Sequence, residues 1–285
     1  MNRKTTSFPR TRLQPLYLVV LCLVLLSNGC QKNKQTPANP AKDKENVKDP
    51  EKPVPTPKVM MVPSRISSAE LNIEFKYEGE TTRLTEIIQS DGNQTKFLYH
   101  PDGTPAKYEQ YKNNNIQQII DYKTNIEGQI HKIFLFDHKY NTQGSRTIGY
   151  DEKKRINQLK KYDIYNKFSE EESISYDDLG NVISTTVTNN NKTTTMSAVY
   201  DTKAGIYQHI PHVQLLFLTH LPLQHPRIFF PKTNPLRIDY LPLNTSGSTY
   251  TYEYNSNNYP SSLVVKQGSS IKTMKITYKT IKPID

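Results

Sequence analysis

The sequence contains almost no cysteine and no tryptophan: two of its 285 residues are cysteines, Cys22 and Cys30. Because both lie within the first 30 residues, the rest of the chain has no thiol for a disulfide, a zinc–thiolate site or a cysteine nucleophile. The sequence also lacks G-x-S-x-G, H-E-x-x-H and a glycine-rich phosphate loop, the signatures of common hydrolases, metalloproteases and nucleotide-binding enzymes. These absences predict a protein that is not an enzyme and that uses no cofactor.

Long hydrophobic runs are missing too, and the longest is LYLVVLCLVLL at 16–26. Its eleven residues are too few to cross a bilayer as a helix, which takes about 20. Four basic residues and no acidic residue precede it, as in the positively charged start of an export signal. A short apolar core after such a start favours a signal that directs the chain out of the cytoplasm.

The apolar run ends in LLSNGC at 25–30, which resembles the lipobox of bacterial lipoproteins, although Ser27 stands where leucine is usual. In that family the cysteine thiol is acylated, with a fatty acid such as palmitate, and the cysteine becomes the new N-terminus. The resemblance implies a signal peptide at 1–29, lipidation of Cys30 and attachment to the cell envelope, with the outer membrane as the expected location. Whether the chain faces the periplasm or the surface stays open. The alternative is an ordinary secretory signal or a short membrane anchor.

Residues 30–63 are rich in lysine and proline and contain almost no apolar residue before Val59. Such a composition cannot bury enough apolar surface to fold, and it predicts a disordered tether. In the extended polyproline conformation this tether could reach roughly 100 Å. We expect a single folded domain over 64–285, a length within the range of one all-β domain.

The net charge of the full sequence is +10, and four of the positive charges lie in the signal. The remaining excess could meet anionic lipid headgroups or acidic glycans, although a solvated surface is the preferred interpretation of this charge. Nucleic acid is not an expected partner, because the lysines are spread evenly and no nucleic-acid-binding module is present. The expected partners are the membrane, reached through the N-terminal lipid, and a glycan, a peptide or another lipoprotein.

Tyrosine is abundant, and seven of the nineteen tyrosines recur where a short β-favouring run enters a polar turn. They are Tyr77, Tyr99, Tyr122, Tyr150, Tyr176, Tyr200 and Tyr254. The first six follow one another at intervals of 22 to 28 residues. A second turn near the middle of the interval is predicted at SDGN (90–93), KNNN (112–115), NTQG (141–144) and TNNNK (188–192), because Asn, Asp and Gly tolerate the positive φ of tight hairpins.

Between these turns the residues alternate in character, as at Ile183, Thr185 and Val187. A period of two with β-branched and aromatic residues predicts half-buried strands. One repeat is therefore interpreted as a β-hairpin. The predicted fold class is all-β, a large curled antiparallel β-meander of roughly a dozen strands.

The clearest copy of the repeat is Y-D-D-L-G-N at 176–181, in which Gly180 is expected to make the turn. Y-D-x-x-G-(N/R) followed by an apolar residue resembles the YD (RHS-type) repeats, and the folded part resembles exported bacterial lipoproteins of unknown function built on such repeats. The resemblance implies hairpins in a long curling sheet, with the recurring tyrosines and Gly180 as structural anchors, and it brings no activity. The adjacent Asp177 and Asp178 are interpreted as turn residues rather than as a catalytic pair.

One segment, 206–243, interrupts the repeats where a new copy is expected near residue 227. It is the most apolar part of the chain after the signal, and its prolines disfavour a long helix or a central strand. We expect short helical turns that plug the concave side of the sheet. The segment holds four histidines that could bind a metal ion, namely His209, His212, His220 and His225. No cysteine or glutamate lies near them, so packed histidines are the preferred interpretation and no metal site is predicted.

Together these features predict a lipid-anchored cell-envelope protein of the non-enzymatic scaffold or binding type, with an unknown ligand. The alternative is a carrier that holds a lipid or another apolar ligand on the concave face of the sheet, with 206–243 as its lid. An envelope hydrolase is disfavoured, because the sequence offers neither a nucleophile nor a metal constellation.

Overall fold

Sixteen antiparallel strands form a closed barrel in the structure, which is a computed structural model. Described are residues 60–189, 192–219, 232–241 and 247–281, without the side chains of 217–219. The regular alternation of inward and outward side chains along these strands is what builds the wall.

The first strand begins earlier than expected. All described residues belong to one compact unit, Thr56–Asp285. Its first strand starts at Met60, within the segment 30–63 predicted as a tether, and Val62 of this strand is fully buried. The folded part therefore starts before the predicted boundary at 64, because the apolar residues at the end of the proline-rich segment contribute to the core. The predicted signal peptide and Cys30 lie outside the described residues.

Every strand of the barrel is short. The first eight are β1 (Met60–Ser67), β2 (Asn72–Tyr77), β3 (Leu84–Gln89), β4 (Asn93–Tyr99), β5 (Pro105–Lys112), β6 (Asn115–Thr124), β7 (Ile130–Asp137) and β8 (Thr142–Tyr150). The other eight are β9 (Ile156–Tyr162), β10 (Phe168–Tyr176), β11 (Val182–Asn189), β12 (Lys192–Tyr200), β13 (Pro235–Leu241), β14 (Ser248–Tyr254), β15 (Pro260–Gln267) and β16 (Ser270–Ile281). One helix, α1 (Val213–Thr219), lies between β12 and β13.

The ring is closed by pairing of the first strand with the last. Each strand pairs with its neighbours in sequence, and in the seam Met60 lies opposite Ile281 and Ile66 opposite Ile276. The all-β class and the antiparallel hairpins are confirmed. The meander takes a more specific form than expected, with sixteen strands instead of about a dozen and with both ends joined. Closure pairs the backbone groups that the edges of an open sheet would leave unsatisfied.

The inner face of the barrel carries the hydrophobic core. Ile87 of β3, Ile133 of β7 and Ile238 of β13 are completely buried. Phe97 of β4 and Tyr108 of β5 lie opposite each other, and their rings stack with centroids 5.6 Å apart. The alternating pattern in the sequence therefore places its apolar residues inside the ring.

The outer face, in contrast, is largely polar. Lys76 and Glu86 lie opposite each other on β2 and β3 and form an ion pair of 3.1 Å. On β13, on another side of the ring, Arg237 and Asp239 flank the inward Ile238 and form an ion pair of 2.8 Å. Charged groups in such positions keep their hydration, because they remain in contact with water.

Most of the turns between the tyrosines lie where they were predicted. Asn113 and Asn114 form the two-residue turn between β5 and β6 with φ of 49° and 65°. The predicted turn at 141–144 is wrong, because β8 already begins at Thr142. The chain turns at 137–141 instead, where the Asp137 carboxylate accepts hydrogen bonds from two backbone N–H groups of the turn. This side-chain cap closes the turn without the glycine on which the prediction relied.

Candidate functional site

Six even-numbered strands finish in a tyrosine at the same end of the barrel, which we call the rim end. The opposite end, with the turns at 112–115 and 137–141, is called the far end. Five rim tyrosines donate a hydrogen bond to a backbone carbonyl of the preceding strand: Tyr77 to Pro63 (2.7 Å), Tyr99 to Leu84 (2.6 Å), Tyr150 to Ile130 (2.5 Å), Tyr176 to Ile156 (2.5 Å) and Tyr200 to Val182 (2.7 Å). These phenols thus satisfy carbonyl groups where the hairpins begin.

The remaining two recurring tyrosines depart from this arrangement. Tyr122 is buried, but it lies two residues before the end of β6. In the last copy Tyr252 donates to the carbonyl of Pro235 at 2.8 Å, whereas Tyr254 donates to the carboxylate of Asp201. The spacing of tyrosines in the sequence therefore located the repeat correctly but selected the wrong phenol at this position.

The corner at 176–181 is closed by hydrogen bonds within the turn. One carboxylate oxygen of Asp177 accepts the backbone N–H of Asn181 at 2.8 Å, and the other accepts its side-chain amide at 2.8 Å. Gly180 has a φ of +89°, which is strained for any residue with a Cβ. Asp178 is exposed to solvent. The two aspartates therefore do not face each other, and Asp177 acts as a cap of the turn.

Arginines connect successive corners. Arg155, in the corner before Tyr176, lies over its ring with 4.4 Å between guanidinium and centroid, and it donates to the carbonyl of Asp177 at 3.2 Å. Arg83 lies over the ring of Tyr99 in the same way, at 5.5 Å. These cation–π contacts brace one corner against the next.

The interruption of the repeat is an insertion within a single corner. The backbone N–H of Asn234 donates to the Asp201 carboxylate at 2.9 Å, and the N–H of Asp201 donates to the carbonyl of Asn234 at 2.9 Å. Asp177 and Asn181 make the same two bonds, at 2.8 and 3.0 Å. The aspartate and the final asparagine of the Y-D-x-x-G-N corner are thus kept as Asp201 and Asn234, and residues 202–233 stand between them.

The start of a repeat expected near 227 lies outside the described residues, and the next described hairpin after the enlarged corner is β13–β14. Another expectation is corrected. Of the predicted plug 206–243, residues 235–241 are a strand of the wall and not part of the plug. Proline is tolerated in that strand because Pro235 is its first residue. The sequence signal that could have revealed the corner is Asn234 itself, which directly precedes β13 as Asn181 directly precedes β11.

Residues 206–216, here called the plug, pack inside the barrel at the rim end. Tyr207 and Leu216 are each 1% exposed, and Ile210 and Leu215 are also buried. The ring centroid of Tyr207 lies 5.9 Å from that of Phe75 on β2. These side chains belong to the same hydrophobic cluster as the inward residues of the strands. The plug is therefore part of the core.

Polar groups of the plug are held by tyrosines of the wall. The hydroxyl of Tyr259 lies 2.7 Å from Nε2 of His209 and accepts a hydrogen bond from Gln208 at 3.0 Å. Gln214 donates to the hydroxyl of Tyr176 at 3.1 Å. The plug is thus oriented by specific hydrogen bonds in addition to apolar packing.

Two of the four histidines considered as metal ligands are described, and their side chains have different surroundings. His209 is engaged with Tyr259, and His212 lines a cavity described below. In the part of the chain that the structure describes, no three His, Cys, Asp or Glu side chains gather to hold a metal ion. His220 and His225 lie outside the described residues.

A cavity of about 380 Å³ lies between the plug and three rim corners. Its apolar lining is Ile130, Ile156, Ile210, Val213 and Leu215, and its polar lining includes Thr104, Gln129, Tyr150, Lys154, His212 and Gln214. The volume is within the range of sites for small molecules. Sequence reasoning did not single out Lys154 or the isoleucines, because they come together only when the corners and the plug meet.

Only one side chain of the cavity lining carries a formal charge at neutral pH, that of Lys154. Burial raises the pKa of the Tyr150 phenol to about 12, so the phenol stays protonated. Desolvation lowers the pKa of His212, although much of that residue reaches solvent, so its imidazole is neutral. An apolar cavity with a single ammonium group matches a small amphipathic molecule with an anionic end.

The run of acids at 170–172 does not form a second site. Glu172 is 5% exposed and lies on the inner face opposite Leu159, whereas Glu171 points outward and accepts a hydrogen bond from Gln158 at 2.6 Å. Because neighbouring residues of a strand point to opposite faces, these carboxylates cannot act together on one substrate.

Two solved structures are similar to this chain. A porin-like protein from Bacteroides uniformis ATCC 8492 has a TM-score of 0.53 at 14% sequence identity, over 76% of this chain and 98% of that chain. A porin-like protein from Bacteroides vulgatus ATCC 8482 has a TM-score of 0.37 at 12% identity, over 77% of this chain and 99% of that chain. No protein-family model and no curated protein matches the sequence. The first likeness establishes a shared fold.

Within the described ranges no helix is long and apolar enough to cross a membrane.

Proposed function

We propose that this chain is a lipid-anchored cell-envelope protein that works as a scaffold or binding module and performs no catalysis. Its lipidated residue is Cys30, and its folded part is the barrel. The charged start, the short apolar run and the Gly-Cys pair in the sequence support the anchor. The fold shared with a porin-like protein supports a location in the envelope.

The observation that carries the proposal is the polarity of the barrel wall. A pore-forming membrane barrel has an apolar outer band and a polar lumen. This barrel has the reverse arrangement, with Ile87 and Ile133 buried inside and the Lys76–Glu86 ion pair outside. Its interior at the rim end is also filled by the plug. A wall of this polarity presents an outer surface and loops to partners and does not conduct solutes.

The anchor is tested in cells that export the full chain. Cys30→Ala should abolish incorporation of labelled palmitate and release the protein from the membrane fraction, because the acylated thiol is gone. Cys22→Ala is the matched control and should keep both the label and the membrane location. A Cys30→Ala protein that stays in the membrane fraction would contradict the proposal.

The cavity at the rim end supports a second candidate function, a carrier of an apolar ligand. The plug fills much of the space that an open concave sheet would offer, so the ligand is limited to about 380 Å³. Five aliphatic side chains would contact its chain, and Lys154 would pair with an anionic end such as a carboxylate. A medium-chain fatty acid has this chemistry.

Extraction of the purified full chain with organic solvent, followed by mass spectrometry, tests the carrier. A stoichiometric amphipathic molecule is expected if the cavity is a site. Dodecanoate binding should weaken about tenfold in Lys154→Met, because a charged hydrogen bond is lost, and should persist in the control Lys153→Met. Filling the cavity with Leu215→Trp should abolish it. Equal binding by all variants would exclude the cavity and leave the scaffold proposal intact.

A further inference from the structure

Two neighbouring hairpins at the far end carry the most exposed aromatic side chains of the described residues. Tyr140, between β7 and β8, is 56% exposed, and Tyr165 and Phe168, between β9 and β10, are 83% and 50% exposed. Ile164 beside them is 51% exposed. We call these four residues the aromatic tips. No other phenylalanine or tyrosine in the described ranges is as exposed.

The turns that present the aromatic tips are closed by side-chain caps. The Asp163 carboxylate accepts the backbone N–H of Tyr165 at 2.9 Å and that of Lys167 at 2.8 Å. Asp137 caps the other turn in the same way. Tyr140 occupies a left-handed conformation, with φ of 62°. The aromatic tips are therefore presented to water at ordered turns and lie outside the buried core.

An aromatic band with lysines continues from the tips over the outer wall. The ring pairs with their centroid distances are Phe134–Phe136 at 6.4 Å, Phe136–Tyr140 at 6.2 Å and Tyr162–Phe168 at 6.1 Å. Nζ of Lys107 lies 3.3 Å from the hydroxyl of Tyr140, and Nζ of Lys132 lies 4.8 Å from the ring centroid of Phe134. Lys139 and Lys167, next to the exposed tyrosines, are themselves exposed.

We propose that the aromatic tips dock onto the surface of an anionic phospholipid bilayer. Tyrosine rings favour the boundary between headgroups and hydrocarbon, and exposed lysines are attracted to anionic headgroups. The tips are exposed at the turns of two neighbouring hairpins, and Ile164 is an aliphatic group with no use in stacking on a sugar. Exposed apolar groups among lysines suit insertion between lipids better than they suit a glycan.

The proposal rests on the envelope location proposed above, and the chain is long enough to allow it. An extended chain of the length from Cys30 to Met60 could reach about 90 Å. The longest strand, β16, has 12 residues and spans about 40 Å. A lipid on Cys30 and the aromatic tips could therefore meet the same membrane.

Site-specific probes in the full chain test the docking. Because the chain has only two cysteines, Cys22→Ser with Cys30→Ser gives a cysteine-free background that also removes any acylation site. An environment-sensitive fluorophore is attached at Tyr165→Cys. Control probes are placed at Leu179→Cys, in a rim corner, and at Ile271→Cys, at the start of β16, which are 56% and 65% exposed in the native chain. Each protein is mixed with vesicles of phosphatidylcholine with or without phosphatidylglycerol, some of which contain a nitroxide-labelled lipid as a quencher.

The Tyr165→Cys probe should shift to shorter wavelength and be quenched on vesicles with phosphatidylglycerol, while both control probes stay unchanged. Adding Lys139→Gln and Lys167→Gln should raise the concentration of anionic lipid that is required for this quenching about tenfold. Tyr140→Ser with Phe168→Ser should reduce it further. Equal quenching at all three probes, or none at Tyr165→Cys, would overturn the docking. A probe that responds to dextran sulfate and not to vesicles would indicate an anionic glycan instead. Since no variant can be acylated, neither outcome depends on the anchor at Cys30.

Discussion

The two ends of the barrel use the same turn and direct their tyrosines to opposite sides. At the rim end an aspartate such as Asp177 caps a turn next to Tyr176, whose ring points inward and whose hydroxyl binds a carbonyl of the wall. At the far end Asp163 caps a similar turn, but Tyr165 points into solvent. The two tyrosines differ in their position along the chain: Tyr176 ends an inward-facing row of its strand, whereas Tyr165 stands in the turn itself.

This difference gives the ends separate tasks. At the rim end the plug contributes to stability, since Tyr207 and Leu216 lie in the common core. At the far end Tyr140, Tyr165 and Phe168 are exposed and lie outside the buried core cluster. We expect truncation of the plug or of a rim tyrosine to lower the free energy of unfolding, and truncation of an exposed aromatic tip such as Tyr165 to leave it nearly unchanged.

The largest effect is expected from truncation of the plug. Tyr207→Ala should lower the free energy of unfolding by about 3–5 kcal/mol, because it leaves a cavity in a fully packed site. Tyr165→Ala at the far end should change it by less than about 0.5 kcal/mol. Urea unfolding of the two variants measures both values. Similar losses in the two variants would break the distinction between the ends.

Removal of a single rim hydroxyl should have the next largest effect. Tyr176→Phe leaves the carbonyl of Ile156 and the amide of Gln214 without their partner, at a cost of about 1–2 kcal/mol. Tyr165→Phe removes a hydroxyl that water already solvates, and the same urea experiment should find no change. If Tyr176→Phe is equally silent, the rim phenols act only by packing.

A smaller loss is expected at the turn glycine of the clearest corner. Gly180→Ala should cost about 1 kcal/mol, because an L-residue is strained at a φ of +89°. Leu179→Ala, one residue earlier and exposed, is the matched control and should be neutral. Thermal unfolding of both proteins distinguishes backbone strain from a general sensitivity of the corner.

The smallest effect concerns pH and should be common to both ends. At the rim end, burial acts to raise the pKa of Asp151, but hydrogen bonds and the charge of Arg155 outweigh it and lower the pKa. At the far end, hydrogen bonds from Asn141 lower the pKa of Asp137. A carboxyl whose pKa is lower in the folded state stabilises the fold above its unfolded pKa of about 3.9 and loses this effect as the pH falls through the folded value.

The free energy of unfolding is measured as the pH is lowered from about 6 to about 2, which covers the titration of carboxyl groups. It should fall less steeply in Asp151→Asn and in Asp137→Asn than in the native protein. Asp178→Asn, exposed in its corner, is the control and should keep the native slope. Unequal slopes for the two capping aspartates would show that the cap contributes differently at the two ends.

Much of the wall could be derived from the sequence because its signals are local. Alternation of side chains predicts strands, and Asn or Gly predicts tight turns because these residues tolerate positive φ, as at Asn113 and Gly180. The turn at 137–141 was missed because its cap, Asp137, acts through a side chain that no glycine or Asn-Gly pair announces. The candidate cavity could not be predicted, since Ile130, Lys154 and Leu215 are distant in sequence and meet only at the rim.

The strands, the recurring corners and the apolar character of 206–216 follow from the amino-acid sequence, because each depends on residues close together in the chain. Closure of the sheet, with Met60 opposite Ile281, emerges only in the folded barrel, since it depends on the summed geometry of sixteen strands. The fold also joins Asp201 and Asn234 into one corner across the insertion. No local sequence pattern predicts a contact between residues so far apart in the chain, because the fold and not their spacing brings them together.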